Sequence, residues 1–476
     1  MKAIKNILFL VLILSIKSDE TIDFSSLSSG TGYSISGNTI TISSDGTYTL
    51  KGTNTDKTIL VSSASTLVLD SLTLTSSGEL TPLIIDSSKS VSMVLSGTST
   101  LTDSSSNENE GVIYLKSGAS LTISGDGTLN INPNKNMGIN GTDSTSLIVN
   151  GGTIAISSSS SEVGGIYLRK EIIFNDGTYT YNAASGTKHA IDSEGNITIK
   201  KGTLTLNSGN GKGIQSEKYL YLGQASSDNS DLTINIDTQN EGIEAERITL
   251  YSGKITINAN EDGINAAGGD CEDEGTCSGN CNCYISISGG ELEINAGEDG
   301  FDSNGDITIS GGKVIVYGAS TGADQPIDQD GQFKITGGTF FAAGSNEMGG
   351  GISVTNSQQY VTYSNTIASG KIITITDSSN NEVFSIENKK EVKYMYFTSS
   401  GSGFSVNIKD SSSTETTSTT AKATSTTSTT ITNVVTTATN SATDSSSNST
   451  DNFTLINFSK KYEISYFYAL LLLFLY

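Results

Sequence analysis

The segments Ile285-Ser-Ile-Ser-Gly-Gly-Glu-Leu-Glu-Ile294 and Ile307-Thr-Ile-Ser-Gly-Gly-Lys-Val-Ile-Val316 determine the fold of this chain. In each segment, apolar and polar residues alternate on both sides of a Gly-Gly pair, which is typical of two short strands with one buried face. The same phrase recurs at residues 147–156, 197–206 and 248–257. The pattern therefore predicts many short strands in repeated units.

The spacing of the repeats indicates how these strands are arranged. One apolar marker per repeat opens the next strand, at steps of 21–29 residues apart from one step of 37. Such steps fit one coil of a parallel β-helix with three short strands, because each coil buries its face by stacking on its neighbours. The markers are Ile139, Ile166, Ile191, Ile214, Ile243, Ile264, Phe301, Ile327 and Ile352, with weaker repeats at Ile59, Ile84 and Ile113.

Other repeat architectures fit less well. A leucine-rich repeat needs a Leu-rich consensus, and a propeller blade is longer and carries aromatic signatures. We therefore predict an all-β fold, a right-handed single-stranded parallel β-helix over residues 19–405. Within it, residues 367–408 are less regular, and we expect them to form a capping sheet.

The charge balance limits the classes of partner. The 476-residue chain has 27 Lys and Arg against 50 Asp and Glu, a net charge of −23. This argues against nucleic acid and anionic membrane surfaces as partners. The single histidine, His189, also argues against His-based catalytic triads and His-rich zinc sites. The partners expected are cations, neutral surfaces, or anions bridged by cations.

Both ends of the chain resemble targeting segments. A basic start followed by an apolar run predicts a signal peptide at residues 1–18. Residues 406–450 are Ser/Thr-rich and predict a disordered, O-glycosylated stalk. Residues 451–476 combine a polar spacer with an apolar tail, which is the layout of a GPI signal with Asn448 as attachment site. A plain C-terminal membrane anchor is the alternative, and both place the protein outside the cell, at its surface.

The marker register also predicts an acidic column. Residues beside the markers align in successive coils about 4.8 Å apart, where like charges repel. Calcium would remove that repulsion, since it takes six to eight oxygen ligands from carboxylates, amides and carbonyls. A solvated acidic turn is the alternative, because Asp-Gly is also turn chemistry. The candidate ligands are Glu241, Glu244, Asp262, Asn265, Asp299, Asp302, Asp324, Asp328 and Asp330.

The four cysteines fall in one insertion beside this column, at Cys271, Cys277, Cys281 and Cys283. In a secreted chain an even, clustered set predicts two disulfides, with three pairings open. Zinc is the alternative, although the spacing is unusual for it. Asn140 and Asn196 begin N-glycosylation sequons.

Several of these motifs resemble a known family. The sequences at residues 241–344, including Glu261-Asp-Gly-Ile264 and Glu298-Asp-Gly-Phe301, are similar to the clostridial-type, calcium-binding, carbohydrate-binding β-helix family, related in fold to pectate lyases. The resemblance implies a right-handed β-helix, bound calcium, and binding of polygalacturonate and cellulose. It assigns calcium to Asp262, Asn265, Asp299, Asp302, Asp328 and Asp330. The cysteine insertion and the stalk depart from the family pattern.

We therefore expect a monomeric, cell-surface, calcium-dependent polysaccharide-binding protein without catalysis, anchored to the membrane through its C-terminus. One alternative is a polysaccharide lyase, whose base would be Lys254, Lys313, Lys334 or Arg247. Another is a structural adhesin. The chain has no Trp, and its tyrosines are scattered in the sequence, so no aromatic platform for sugar stacking is evident.

Overall fold

Short β-strands make up the computed structural model, which describes residues 18–411 except 77, 79, 105–109, 226–230, 269–281, 346–350 and 356. In chain order they are β1 Ser18–Asp23, β2 Tyr33–Ser36, β3 Thr39–Ile42, β4 Gly46–Thr55, β5 Thr58–Val61, β6 Thr66–Ser76, β7 Leu83–Ile85, β8 Ser90–Ser96, β9 Thr98–Asp103, β10 Ile113–Leu115, β11 Ser120–Gly125, β12 Thr128–Asn132, β13 Met137–Gly141, β14 Ser146–Val149, β15 Thr153–Ser157, β16 Gly164–Leu168, β17 Glu171–Phe174, β18 Thr178–Asn182, β19 Ile191–Ser193 and β20 Asn196–Ile199. They continue as β21 Gly202–Gly209, β22 Ile214–Leu222, β23 Leu232–Thr238, β24 Ile243–Leu250, β25 Lys254–Ala259, β26 Ile264–Ala266, β27 Tyr284–Ile287, β28 Glu291–Ala296, β29 Phe301–Ser303, β30 Asp306–Ile309, β31 Lys313–Tyr317, β32 Ile327–Gln329, β33 Phe333–Ile335, β34 Thr339–Gly344, β35 Ile352–Val354, β36 Gln358–Tyr363, β37 Lys371–Asp377, β38 Glu382–Glu387, β39 Tyr394–Ser400 and β40 Phe404–Asp410.

These strands stack as three parallel ladders in a β-solenoid of about 12 turns. The first ladder runs through β13, β16, β19, β22, β24, β26, β29 and β32. The second runs through β14, β17, β20, β22, β24, β27, β30 and β33, and the third through β15, β18, β21, β23, β25, β28, β31 and β34. The predicted β-helix with three strands per coil is therefore confirmed. Strands β22 and β24 belong to two ladders each, because they continue around one corner of the coil.

The apolar markers fix the register of the first ladder. Paired residues there are Ile139–Ile166–Ile191–Ile214–Ile243–Ile264–Phe301–Ile327, in that order along the stack. Two predicted markers are wrong. Leu83 rather than Ile84 occupies the position between Ile59 and Ile113, since Ile84 alternates to the outer side. Ile352 pairs with Phe333 and so belongs to the second ladder.

The core lies inside the coils and explains why Gly precedes most of the markers. Isoleucine, leucine, phenylalanine and some tyrosine side chains fill it almost without exposure, each adding about 1.5–3 kcal/mol on burial. A Cβ on Gly263 would lie 2.2 Å from Cγ2 of Ile294, and one on Gly300 would lie 2.1 Å from Cγ1 of Val316. Glycine in the Asp-Gly-Ile phrase is thus required by packing against the third ladder, and not only by turn chemistry.

Different strands close the two ends of the described region. Near the N-terminus, β2 pairs antiparallel with β3, and β1 pairs with β4. Near the C-terminus, β39 and β36 add antiparallel strands beside β34. Strands β37, β38 and β40 form a separate antiparallel sheet over a second apolar cluster that contains Phe341, Phe384 and Phe397. The predicted cap at 367–408 is confirmed.

Some predictions concern parts of the chain outside the described residues. These are almost all of the signal peptide, the Ser/Thr-rich stalk beyond residue 411, the C-terminal tail with Asn448, and three of the cysteines, Cys271, Cys277 and Cys281. The described residues contain no helix that is long and apolar enough to cross a membrane.

Candidate functional site

The predicted acidic column is assembled by two backbone registers on the first ladder. One register pairs Glu244 with Asn265, Asn265 with Asp302, and Asp302 with Asp328. In the other register, the glycine that precedes a marker donates its N–H to a carbonyl oxygen of the next coil, at 2.9–3.2 Å. The accepting residues are Asp262, Asp299 and Gln325. We define the acidic column as Glu241, Glu244, Asp262, Asn265, Asp299, Asp302, Gln325 and Asp328. Each coil contributes two of these residues.

Two predicted ligands lie beside this column rather than in it. Gln325, and not Asp324, occupies the second register, because the Gly300 N–H donates to the Gln325 carbonyl. Asp330 is exposed two residues past Asp328, and its N–H donates to the Ser303 carbonyl. It lines a cleft around the corner of the coil.

Backbone hydrogen bonds hold the middle of the column in place. The Asp299 N–H donates to Oδ1 of Asp262 at 2.8 Å, and the Gln325 N–H donates to Oδ1 of Asp299. Each carboxylate therefore uses one oxygen to bind the backbone of the next coil. Its second oxygen remains for another partner.

Two oxygen acceptors of the column are buried with no donor among the described residues, Oδ1 of Asn265 and Oε1 of Gln325. Oε1 of Gln329 is also unpaired there, but Gln329 alternates with Asp328 to the other face of β32 and lies outside the column. Leaving a buried acceptor unpaired costs about 1–3 kcal/mol, so these two acceptors, on either side of the coil with Asp299 and Asp302, fit a further donor or a cation. Gln325 lay in the predicted register but was not among the predicted ligands, because only carboxylates and one asparagine were chosen there.

The carboxyl groups in the middle of the column have raised pKa values, as expected for buried acids without a neighbouring cation. Burial raises the pKa of Asp262 to about 8, that of Asp299 to about 7 and that of Asp302 to about 6. Neighbouring carboxylates add to each increase, and backbone hydrogen bonds only partly oppose it. Without a cation, ionising these carboxyl groups therefore costs more than it would in water, and most of all for Asp262.

One end of the column already has a counter-charge. The Lys212 ammonium group lies 2.9 Å from Oε2 of Glu241 and also pairs with Glu244. All three side chains are between 14% and 18% exposed. Lys212 thus occupies the place that a cation would take between these glutamates, and the unpaired oxygens belong to the coils beyond it.

The donor set fits calcium in its chemistry, but not as a preformed cage. Carboxylate and amide oxygens are the hard ligands that calcium takes, and the unpaired acceptors are of that kind. Within the described residues, no three His, Cys, Asp or Glu side chains are grouped closely enough to form a metal site. The acidic residues are instead spread along successive coils. Binding would therefore have to draw in amide oxygens and rotate side chains.

The remaining predicted sites are placed separately. Cys283 is buried immediately before β27, and its disulfide stays a prediction because the other cysteines fall outside the described residues. Asn140 is half-buried in β13, in line with Tyr167 on the first ladder, and Asn196 is exposed at the start of β20. Glycosylation at either position stays a prediction.

The four basic residues considered for lyase chemistry do not line the column. Lys254 and Lys313 lie on the third ladder, and Lys334 lies on the second. Arg247 is at the corner, where its guanidinium group binds Glu246 and the Asn282 carbonyl oxygen. The described coils thus hold these candidates either away from the column or in other interactions.

Part of the chain is similar to a known family, and the chain has a distant structural neighbour. Residues 36–228 match a family model described as "Carbohydrate-binding domain-containing protein". This part of the chain is therefore similar to carbohydrate-binding domains, and it lies upstream of the acidic column. A solved structure, a polysaccharide lyase-like protein from C. thermocellum in a gadolinium derivative, is 19% identical, with a TM-score of 0.24, covering 71% of this chain and 97% of that one. No curated protein matches the chain.

Proposed function

We propose that this protein binds polysaccharide at the cell surface in a calcium-dependent manner and without catalysis. The observation that carries the proposal is the pair of buried, unpaired amide oxygens in the acidic column, at Asn265 and Gln325, beside carboxyl groups with raised pKa values. The match of residues 36–228 to a carbohydrate-binding family supports the class of ligand. The N- and C-terminal sequences support display outside the cell.

Calcium would be held by the coils beyond Lys212, through Asp262, Asn265, Asp299, Asp302 and Asp328. When bound, it would neutralise these carboxylates and offer open coordination positions to oxygen atoms of a ligand. The net charge of −23 repels an acidic polymer. A polyuronate such as polygalacturonate therefore needs bridging cations to approach this face, and that makes it the first ligand to test.

The basic side chains near the acidic column argue against catalysis, because they are already paired with carboxylates. A lyase needs a basic side chain that is free to remove a proton beside the uronate carboxylate. Lys212 lies at one end of the column, and two glutamates bind it. Arg247 is likewise bound by Glu246. Since both cations serve existing ion pairs, we assign the column to binding.

The test is affinity electrophoresis of the purified protein through polygalacturonate, with calcium chloride and with EDTA. Absorbance of unsaturated product is followed in the same samples. Asp302→Asn replaces one carboxylate with an amide of nearly the same shape. We expect binding at least about tenfold weaker, because a charged calcium ligand is lost. Asp237→Asn is the matched control, since Asp237 is exposed on the third ladder.

Three results would contradict the proposal in different ways. Binding that is unchanged in EDTA would remove calcium from the mechanism. Product formation would make the protein a lyase. No binding to polygalacturonate in either buffer would exclude the acidic ligand and favour the adhesin alternative.

A further inference from the structure

A second cluster of polar and aromatic side chains lies around the corner from the acidic column, on the second ladder. The register pairs Tyr219 with Arg247, Arg247 with Tyr284, and Tyr284 with Asp306. These four residues therefore form one continuous row across four coils. We call this row the tyrosine row. Its tyrosines lie 65 residues apart in the sequence, so only the register brings them together.

Aromatic rings are concentrated on this flank. The rings of Tyr219 and Tyr221 stack 5.8 Å apart with an angle of 8° between their planes. The Arg247 guanidinium lies over the Tyr219 ring, 4.8 Å from its centroid. Tyr251 and Tyr284 are close enough to Tyr221 to raise its pKa, although burial is the larger cause. The described coils thus present a tyrosine platform that the scattered sequence positions concealed.

The tyrosine row forms one wall of an open cleft of about 500 Å³. Tyr219, Arg247, Tyr284, Asp306 and Asp330 line it. Tyrosine rings that are half-exposed offer an apolar face and a polar edge, and carboxylate and guanidinium groups bind hydroxyl groups. An apolar ring face beside hydrogen-bonding groups is complementary to a pyranose, which carries C–H bonds on its faces and hydroxyl groups around its rim.

The charges in the cleft indicate which sugars fit. Arg247 Nη2 lies 2.8 Å from Oε1 of Glu246, and its Nε donates to the Asn282 carbonyl oxygen at 3.0 Å. Its Nη1 also donates to the Tyr219 hydroxyl oxygen. The one guanidinium is therefore neutralised, while Asp306 and Asp330 add two carboxylates. Such a cleft repels a uronate and accepts the hydroxyl groups of a neutral sugar.

We propose that this cleft binds a neutral pyranose unit of a polysaccharide, stacked on Tyr284 and held without a cation. The site rests on the proposed polysaccharide-binding function but uses residues outside the acidic column. Tyr284 supplies the ring face, Arg247 fixes the neighbouring Tyr219 ring, and Asp306 accepts hydroxyl hydrogen bonds through the oxygen that does not bind the Gln332 N–H. The affinity of this site is independent of calcium.

The experiment is isothermal titration of the purified protein with three hexasaccharides in EDTA: cellohexaose, mannohexaose and hexagalacturonate. Wild-type protein is expected to bind at least one of the neutral oligosaccharides and not hexagalacturonate. Tyr284→Ala removes the ring, and we expect about tenfold weaker binding; Tyr284→Phe keeps the ring and binds within about twofold of wild type. Tyr360→Ala is the matched control, because Tyr360 is also exposed but stacks on Tyr396 beside the cap.

Saturation-transfer NMR gives a readout that does not depend on the variant folding. Irradiating aromatic protons of the wild-type protein should transfer magnetisation to the C–H protons of the bound neutral sugar, and the chain has no Trp to confuse the source. Transfer together with Tyr284-dependent binding supports the proposal. Binding of no neutral sugar, equal binding by Tyr284→Ala, absence of transfer, or stronger binding of hexagalacturonate at this cleft overturns it. If neutral binding fails but calcium-dependent polygalacturonate binding persists, the acidic column alone is functional.

Discussion

Replacing Lys212 with Met is the most direct test of how the acidic column is balanced. Lys212 is 18% exposed, and the two glutamates that it binds are 15% and 14% exposed. Methionine keeps the length and apolar stem of the side chain but removes the charge. Glu241 and Glu244 would then face each other in a site with little access to water.

The expected loss is about 3 kcal/mol. Removing one partner of a buried ion pair costs about 3–5 kcal/mol, because the other charge remains buried without compensation. We take the low end since these side chains keep some contact with solvent. The matched control is Lys201→Met, whose pair with Asp231 is more exposed, at 31% and 61%, and whose loss should be about 0–1 kcal/mol.

Hydrogen exchange is the appropriate assay, because coils of a solenoid can open separately and a single global transition is not assured. The free energy of opening at β22 and β24 amides is compared between variants in EDTA. Calcium should restore part of the loss, since it can take the place of the ammonium group between the glutamates. Glu244→Gln added to the Lys212→Met variant should also restore part of it. A loss under about 1 kcal/mol, or no recovery in the double variant, would refute the reasoning.

Further predictions test the packing, the pH response and the cation. Gly263→Ala should destabilise the protein by about 1–3 kcal/mol in urea unfolding, because its Cβ would overlap Ile294. Gly351→Ala should be nearly neutral, since no described residue has an atom within 4 Å of the added Cβ. His189 has its pKa lowered to about 4 by burial and then by Lys212, so below pH 6.5 protonation favours the unfolded chain. Relative to His189→Asn, the wild type should therefore lose about 3 kcal/mol between pH 6.5 and 4, measured by unfolding at each pH. Calcium should raise the melting temperature of the wild type and raise it less in Asp302→Asn; equal increases would contradict the assignment of Asp302.

The fold could be predicted from the sequence because the repeats carry their own register. An inward Ile or Phe once per coil is set by stacking on the coil below, so its spacing predicts which residues pair. The prediction failed where alternation was ambiguous. At Leu83-Ile84-Ile85 three apolar residues are consecutive, and the neighbour Leu83 is the inward one. Near Ile352 the regular coils end, and the strand joins the second ladder instead.

Only the part of the site that follows the first-ladder register of the apolar markers could be predicted from the sequence. The acidic column emerged since its residues sit one or two positions from a marker. Gln325 was missed because an amide carries no charge pattern, although its side-chain oxygen is buried and unpaired among the described residues. The tyrosine row was missed because the same register was not extended to the second ladder, where Tyr219, Arg247 and Tyr284 pair.

The two proposed binding surfaces are connected by one strand. β24 carries Glu244 on the first ladder and, three residues on, Arg247 on the second, because it continues around the corner of the coil. Asp330 lies at the same corner and lines the tyrosine cleft. A polymer that contains both uronate and neutral sugar units, and that crosses this corner, would contact cation-bridged carboxylates with the first and tyrosine rings with the second. Since both subsites belong to the same stacked coils, binding at one would raise the effective concentration of the polymer at the other. Weak individual subsites would then suffice for firm attachment to long chains, while short oligosaccharides would bind each subsite weakly.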